Sequence, residues 1–247
     1  MKRLDITSYT VPAPVDKRLV LAMLSDIHGE EFGYILDRVK EKSPDAIVIP
    51  GDITNRHDAE SGNGGEFLRA CAAVATVFMS LGNHERNSRT SVEEAAADAG
   101  VCLLEDEWTG FCGITIGGLT SGYVFQEGRL KQGHWKKTPP PRLEKLIEFS
   151  QLPGFKLLLS HHPEYYPRYE RELDIDLILS GHAHGGQWRL FGRPFFAPDQ
   201  ALFPKYAQGF HDGRLIVGRG LANNAPVPRL WNNRELIFIT LEPEKKE

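Results

Sequence analysis

Five short polar clusters, each directly after an apolar run, constrain the fold of this chain more than any other feature. Asp26-Ile27-His28 follows Leu19–Leu24, Gly51-Asp52 follows Ala46–Ile49, and Gly82-Asn83-His84-Glu85 follows Thr76–Ser80. His161-His162 follows Phe155–Leu159, and Gly181-His182-Ala183-His184 follows Leu177–Leu179. Short β-branched and aliphatic runs bounded by turn signals read as strands buried on both faces. Between them lie helical patterns: Phe32–Val39 closed by Ser43-Pro44, Phe67–Val74, Ser91–Ala99 ending at Gly100, and Leu143–Phe149 after three prolines. Asn55–Gly65 reads as a surface loop. Val101–Leu104, Phe111–Ile116, Leu215–Val217 and Leu236–Leu241 read as further strands. Strands alternating with helices predict largely parallel pairing, continued by antiparallel strands in the second half. The expectation is one α/β domain over residues 1–247, two sheets packed face to face with helices outside; the length is ample for such a core.

In open α/β sheets the loops at the carboxyl ends of strands converge to form a site. Asp26 and His28 stand two apart at a strand end, where the period of two points both side chains the same way, and His182 and His184 repeat the spacing. Carboxylates and imidazoles without thiolates suit Mn, Fe, Zn, Co or Ni rather than a Cys-ligated structural zinc. Asn83 would add an oxygen ligand without charge. Gly51, Gly82 and Gly181, each just before a cluster, predict tight turns and close backbone approach. Taken singly, an Asp-x-His is usually a capping pair and a GNHE a polar turn. Five such clusters in order, each after a strand, point to metal.

Charge and cysteine content narrow the partners. Twenty-nine basic against 33 acidic residues give a net charge of −4, so nothing global attracts a nucleic-acid polyanion, and attraction for phosphate must be local. Cys71, Cys102 and Cys112 form an odd set without CxxC spacing, which fits a reducing compartment. The N-terminus lacks a signal-peptide pattern, and nowhere do about 18 apolar residues run together. A cytoplasmic protein without a transmembrane segment is expected, with peripheral membrane contact as the variant.

In type and order the clusters resemble the motifs of the calcineurin-like metallophosphoesterases, from about Leu19 to Gln187 with none missing. The resemblance implies a two-sheet sandwich flanked by helices, with a dinuclear metal centre at one edge. Carried over, Asp26, His28 and His184 would ligate one divalent ion and Asn83, His161 and His182 the other, with Asp52 bridging. His84 would be the non-ligand histidine that hydrogen-bonds the phosphate and serves as general acid. The family places its ligand histidine two residues before a proline, which favours His161 and leaves His162 to packing or support. The implied reaction is hydrolysis of a phosphodiester or pyrophosphate bond by a water shared between the ions. A phosphomonoesterase, or a non-catalytic scaffold that would have lost ligands, is the alternative. The continuation Gly185-Gly186-Gln187 resembles a bacterial phosphodiesterase-like branch, some of whose members act on lipid-linked or nucleotide-diphosphate compounds. A small phosphate ester or pyrophosphate, in one variant lipid-linked, is therefore the expected substrate.

Two further stretches carry no motif. Leu119–Pro141 holds Tyr123, Phe125, Arg129, Lys131, His134, Trp135, Lys136 and Lys137, a mixture that suits either a substrate grip or a solvated loop. Phe191, Phe195, Phe196, Phe203 and Tyr206 read as core of terminal strands and turns, with a lipid-facing rim as the alternative.

Overall fold

A computed structural model describes residues 3–55, 57, 59–125, 138–223 and 227–244. The chain runs β1 (Leu4–Ala13), β2 (Leu19–Met23), α1 (Gly33–Lys42), β3 (Ala46–Ile49), α2 (Gly62–Ala72), β4 (Thr76–Met79), α3 (Arg89–Ala99) and β5 (Cys102–Leu103). It continues through β6 (Glu107–Phe111), β7 (Ile114–Leu119), α4 (Gly122–Phe125), α5 (Leu143–Ser150), β8 (Lys156–Ser160) and β9 (Leu177–Ser180). Two small hairpins follow, β10 (Arg189–Leu190) with β11 (Arg193–Pro194) and β12 (Phe196–Ala197) with β13 (Ala201–Leu202). Last come β14 (Gly209–His211), β15 (Leu215–Val217) and β16 (Arg234–Pro243).

Two six-stranded sheets form, in the orders β1-β16-β2-β3-β4-β5 and β14-β15-β9-β8-β7-β6. β2, β3, β4 and β5 pair in parallel, as do β7, β8, β9 and β15, while β16 on β2, β6 on β7 and β14 on β15 are antiparallel. The period of two sorts side chains between layers. Leu19, Leu21, Met23, Ala46 and Val48 face Leu157, Leu159, Leu177, Leu179 and Ile216 between the sheets. Ala22, Ile47 and Ile49 point the other way, onto Ile35, Leu36 and Val39 of α1 and Phe67 and Leu68 of α2. On the opposite side Leu158, Ile178 and Val217 pack under Leu146 and Phe149 of α5. The central strands β2, β3, β8 and β9 are therefore buried on both faces, which is why these runs show no alternation in sequence. Among the described residues no helix is long and apolar enough to cross a membrane.

Three expectations need correction, and one strand was not foreseen. Phe111–Ile116 is not one strand: Phe111 ends β6, Cys112 and Gly113 turn with positive φ of 48° and 87°, and Ile114–Ile116 open β7. α2 begins at Gly62, inside the stretch expected to be loop, because Phe67, Leu68 and Cys71 bury a face whose burial continues back through Gly64 and Gly65. β1 escaped notice because it is a half-exposed edge strand, held by parallel pairing with β16. Phe191, Phe196 and Phe203 are exposed rather than core; of the aromatics expected there Tyr206 is buried. Arg129, Lys131, His134, Trp135, Lys136 and Lys137 lie outside the described residues, whereas Tyr123 and Phe125 sit in α4.

Candidate metal centre

The carboxyl ends of β2, β3, β4, β8 and β9 bring the five polar clusters to one edge of the sandwich. Asp26, His28, Asp52, His84 and His161 are buried there. Nε2 of His28 lies 4.0 Å from Oδ1 of Asp26 and 3.9 Å from Oδ2 of Asp52, while Nε2 of His161 lies 3.1 Å from Oδ2 of Asp52. Nε2 of His184 approaches Asp26 Oδ1 at 3.5 Å and His28 Nε2 at 3.3 Å. Among the described residues four groups result that could each hold an ion: Asp26-His28-His184, His28-Asp52-His84, Asp52-His161-His182 and His162-Glu164-His182, the first three linked through His28 and Asp52.

Local backbone geometry explains the convergence. Asp26, His28, Asp52, His182 and His184 all have φ between 47° and 64°, the left-handed region that side-chain-bearing residues seldom occupy. The Asp26/His28 and His182/His184 pairs thus meet through left-handed loops beyond the strand ends rather than through the strand pleat inferred from their spacing. The loops are tied to one another: Asp26 N–H donates to Gly51 O at 3.2 Å, His28 N–H to Asp52 O at 3.1 Å, and His182 N–H to Asp26 Oδ1 at 3.0 Å. Close approach is absolute at two glycines. A Cβ on Gly82 would lie 2.2 Å from Asp52 Oδ1, and one on Gly181 2.5 Å from Asp26 Oδ2.

The electron-rich atoms at this edge are crowded yet unbonded. Among the described residues Asp26 Oδ2, Asn83 Oδ1 and His161 Nδ1 are buried with no hydrogen-bond partner, and Asp52 Oδ2 meets only imidazole nitrogens, the nearest His161 Nε2 at 3.1 Å. Leaving such groups without partners costs roughly 1–3 kcal/mol each. Divalent cations fit this donor set, since they would coordinate these lone pairs together. His28 Nδ1 lies 3.1 Å from Thr54 O, so it carries the proton and leaves Nε2 free to offer a lone pair. Burial holds His182 down at about 3 and His184 well below the ordinary histidine value, keeping both neutral. Burial alone would raise the Asp26 and Asp52 carboxyls, but the surrounding histidines hold both below the usual range.

His84 sits beside this cluster, its ring centroid 4.4 Å from that of His28 and its N–H donating to Asp52 Oδ1 at 2.9 Å. His162 points elsewhere: Nε2 meets Ser121 Oγ at 2.7 Å and Nδ1 lies 3.2 Å from Glu164.

Four supporting residues were missed by sequence reasoning. Glu85 accepts the N–H groups of Asp52 at 2.9 Å, Thr54 at 3.0 Å and Gly82 at 2.8 Å, clamping the loops after β3 and β4 together. Its place in the Gly82–Glu85 cluster was a signal without a role attached. Buried Glu164 accepts Thr138 Oγ1–H at 2.6 Å and lies 3.7 Å from His182 Nε2. Arg229 lies 2.8 Å from His184 Nδ1, and Asn232 Nδ2 donates to His184 O at 2.7 Å. Nothing in the sequence marked these two, which arrive from the far C-terminal end.

A cluster of carboxylate and imidazole donors at the edge of a two-sheet sandwich accords with the family comparison: the chain belongs to the Calcineurin-like phosphoesterase family, a family of hydrolases, whose model matches residues 19–186. Among curated proteins it resembles an uncharacterized metallophosphoesterase of Campylobacter jejuni, 27% identical across 99% of this chain and 65% of that protein. It also resembles phosphodiesterase YaeI of Escherichia coli K12, at 28% identity over 82% of this chain and 75% of that one. The chain therefore spans about two-thirds of the length of the Campylobacter relative. Thermus thermophilus sulfate thiohydrolase SoxB shares the fold, with a TM-score of 0.53 and 16% identity over 95% of this chain and 58% of that one.

Proposed function

We propose that the chain hydrolyses phosphodiester or pyrophosphate bonds with two divalent ions. The observation that carries the reading is the crowding of buried oxygens and nitrogens of Asp26, Asp52, Asn83 and His161, several of them without a hydrogen-bond partner among the described residues. In this reading Asp26, His28 and His184 hold one ion, Asn83, His161 and His182 the other, and Asp52 lies between them. When bound, the ions would supply charge stabilisation for the phosphoryl oxygens and a nucleophile at neutral pH. The chain's own residues do the rest. Thr54 O fixes the His28 ring, and Glu85 fixes Asp52 through its backbone. His84, with Nε2 3.7 Å from Asp52 Oδ2, holds a proton for the leaving oxygen.

A phosphodiester preference draws support from the likeness to YaeI, a phosphodiesterase. The three free cysteines suit a reducing, cytoplasmic setting. The test is hydrolysis of bis-p-nitrophenyl phosphate and p-nitrophenyl phosphate by chelator-stripped protein resupplied separately with Mn, Co, Ni, Zn or Mg. Activity restored on the diester and absent without metal supports the proposal. Restored activity on the monoester alone would move the chain to the phosphomonoesterases, and bound metal without turnover to the scaffolds.

A further inference from the structure

Residues 188–205 run directly out of the candidate metal edge and, with residues 227–231, lie outside the two six-stranded sheets. Their first residues are tied to the ligand loop: Asn232 Nδ2 donates to His184 O and Gln187 O, and Gln187 Nε2 donates to Val227 O at 2.6 Å. Beyond that anchor the two small hairpins turn aromatic side chains outward. Trp188 stacks on Phe195 with centroids 6.0 Å apart, and Phe195 meets Phe203 edge-on at 5.8 Å. Trp188 also bridges to Leu230, next to Trp231. The result is an apron of exposed apolar side chains on one stretch of chain. Phe191, Trp231 and Phe203 are its most protruding members, 104%, 76% and 67% exposed. All three have positive φ, of 50°, 51° and 54°, a costly conformation for a bulky residue and one that persists where function holds it.

Charge distinguishes what could cover this face. Residues 188–205 contain Arg189, Arg193 and Lys205 against the single acid Asp199, in a chain whose net charge is −4. Asp199 is already engaged by Arg168 at 2.7 Å. Exposed Arg193 and Lys205 make no ion pair among the described residues. A second copy of this chain would set these like charges against each other across a two-fold contact. An anionic bilayer offers apolar depth for the rings and phosphates for the cations at once. Rings as protruding as Phe191, at the tip of the first hairpin, and Trp231 enter a fluid interface more readily than they match a rigid partner surface.

We propose that the apron docks the protein on anionic lipid bilayers, with Phe191, Phe203 and Trp231 entering the interfacial layer and Arg193 and Lys205 at the headgroup phosphates. The metal edge is then carried to the membrane surface, because the apron is fastened to the His184 loop.

Co-sedimentation with phosphatidylcholine vesicles, with and without phosphatidylglycerol, tests this on the full chain. The wild type binds the phosphatidylglycerol vesicles, with a blue shift of tryptophan emission and weakening by salt. F191S/W231S lowers partitioning by about tenfold or more, and R193E/K205E abolishes the preference for phosphatidylglycerol. Hydrolysis of bis-p-nitrophenyl phosphate without vesicles and the melting curve serve as controls and stay unchanged in F191S/W231S. An absence of vesicle binding by the wild type overturns the proposal, as does equal binding by both double variants. A dimer lost in F191S/W231S, with no vesicle binding, assigns the face to a second copy and overturns it too. Binding is read without turnover, so a failure of the hydrolytic reading leaves this result standing.

Discussion

The metal edge and the aromatic apron both hold side-chain-bearing residues in left-handed backbone, yet they stabilise that strain by opposite means. At the edge, Asp26, His28, Asp52, His182 and His184 are enclosed by loop-to-loop hydrogen bonds, by the Glu85 clamp and by strands packed on both faces. In the apron, Phe191, Phe203 and Trp231 are equally left-handed, with their rings in solvent. The hairpins are braced at their bases, by Phe203 N–H to Phe195 O at 2.9 Å, Trp188 Nε1–H to Pro228 O at 3.0 Å and Arg168 to Asp199 at 2.7 Å, contacts that leave the Phe191 and Trp231 rings uncovered. Strain that the fold enforces from within marks a site whose geometry must not change. Strain at an exposed ring marks a surface whose compensation comes from what it touches.

If the edge is an enforced site, its centre should be the most sensitive point of the molecule. Asp52→Ala is expected to reduce hydrolysis of bis-p-nitrophenyl phosphate by about a thousandfold or more, equivalent to several kcal/mol of lost charge stabilisation. Elemental analysis should show fewer than two ions retained, while circular dichroism keeps the native pattern. Full activity in a folded Asp52→Ala protein would remove this residue from the centre of the comparison.

A supporting residue should have a smaller effect of a different kind. Glu164 stands 3.7 Å from His182 Nε2, 3.2 Å from His162 Nδ1 and within 2.6 Å of Thr138 Oγ1, and its Oε2 has no partner. Its carboxyl is held well below the usual value: burial opposes ionisation, but His182 and His162 outweigh it. Glu164→Gln keeps the shape and removes the charge that orients His182. Metal affinity should fall about 10–100-fold, measured by competition with a chelator. An unchanged affinity would reduce Glu164 to packing.

Much of this division could be read from the chain alone. The apolar runs ending at Ser25-Asp26, Gly51-Asp52 and Gly82-Asn83 announced both the strands and the candidate ligands, because a strand buried on both faces has no polar residue until its loop begins. Glu164, Arg229 and Asn232 could not be found that way, since their partners lie up to 48 residues distant along the chain and come close only through sheet topology. Phe191 and Phe203 were read as core because composition reports hydrophobicity and not direction. With two-residue strands there is no period from which a face can be inferred. Likewise α2 began among glycines that only tertiary packing makes helical.

A third test concerns burial away from both regions. Glu170 is fully enclosed, receives Ser160 Oγ–H at 2.5 Å, and leaves Oε2 without a partner. Burial, with a smaller contribution from the Glu164 charge, raises its carboxyl from 4.5 to about 8. A raised folded-state value means the native protein binds this proton more tightly than the unfolded chain. The associated stability is fully present below pH 4.5 and is lost as pH rises through about 8. Glu170→Gln should therefore flatten the decline in melting temperature between those limits. Parallel wild-type and variant profiles would show that Glu170 does not titrate there.

The smallest effect should come from the apron. Phe191 touches so little of its own chain that Phe191→Ser removes no buried area, and surface changes of this kind usually stay within about 0.5 kcal/mol. For a chain of this size that corresponds to less than about 2 °C in melting temperature. Phe149 supplies the contrast within one molecule: it is buried against Trp108, its ring 6.1 Å away, and truncation to alanine should cost about 3–5 kcal/mol. Phe191→Ser could even raise stability slightly, because serine gives up less at φ 50° than a bulky ring does. Differential scanning fluorimetry of the two variants side by side decides the matter. A large loss for Phe191→Ser would mean that the exposed ring braces the hairpin internally, and the difference between an edge stabilised from within and an apron stabilised from outside would disappear.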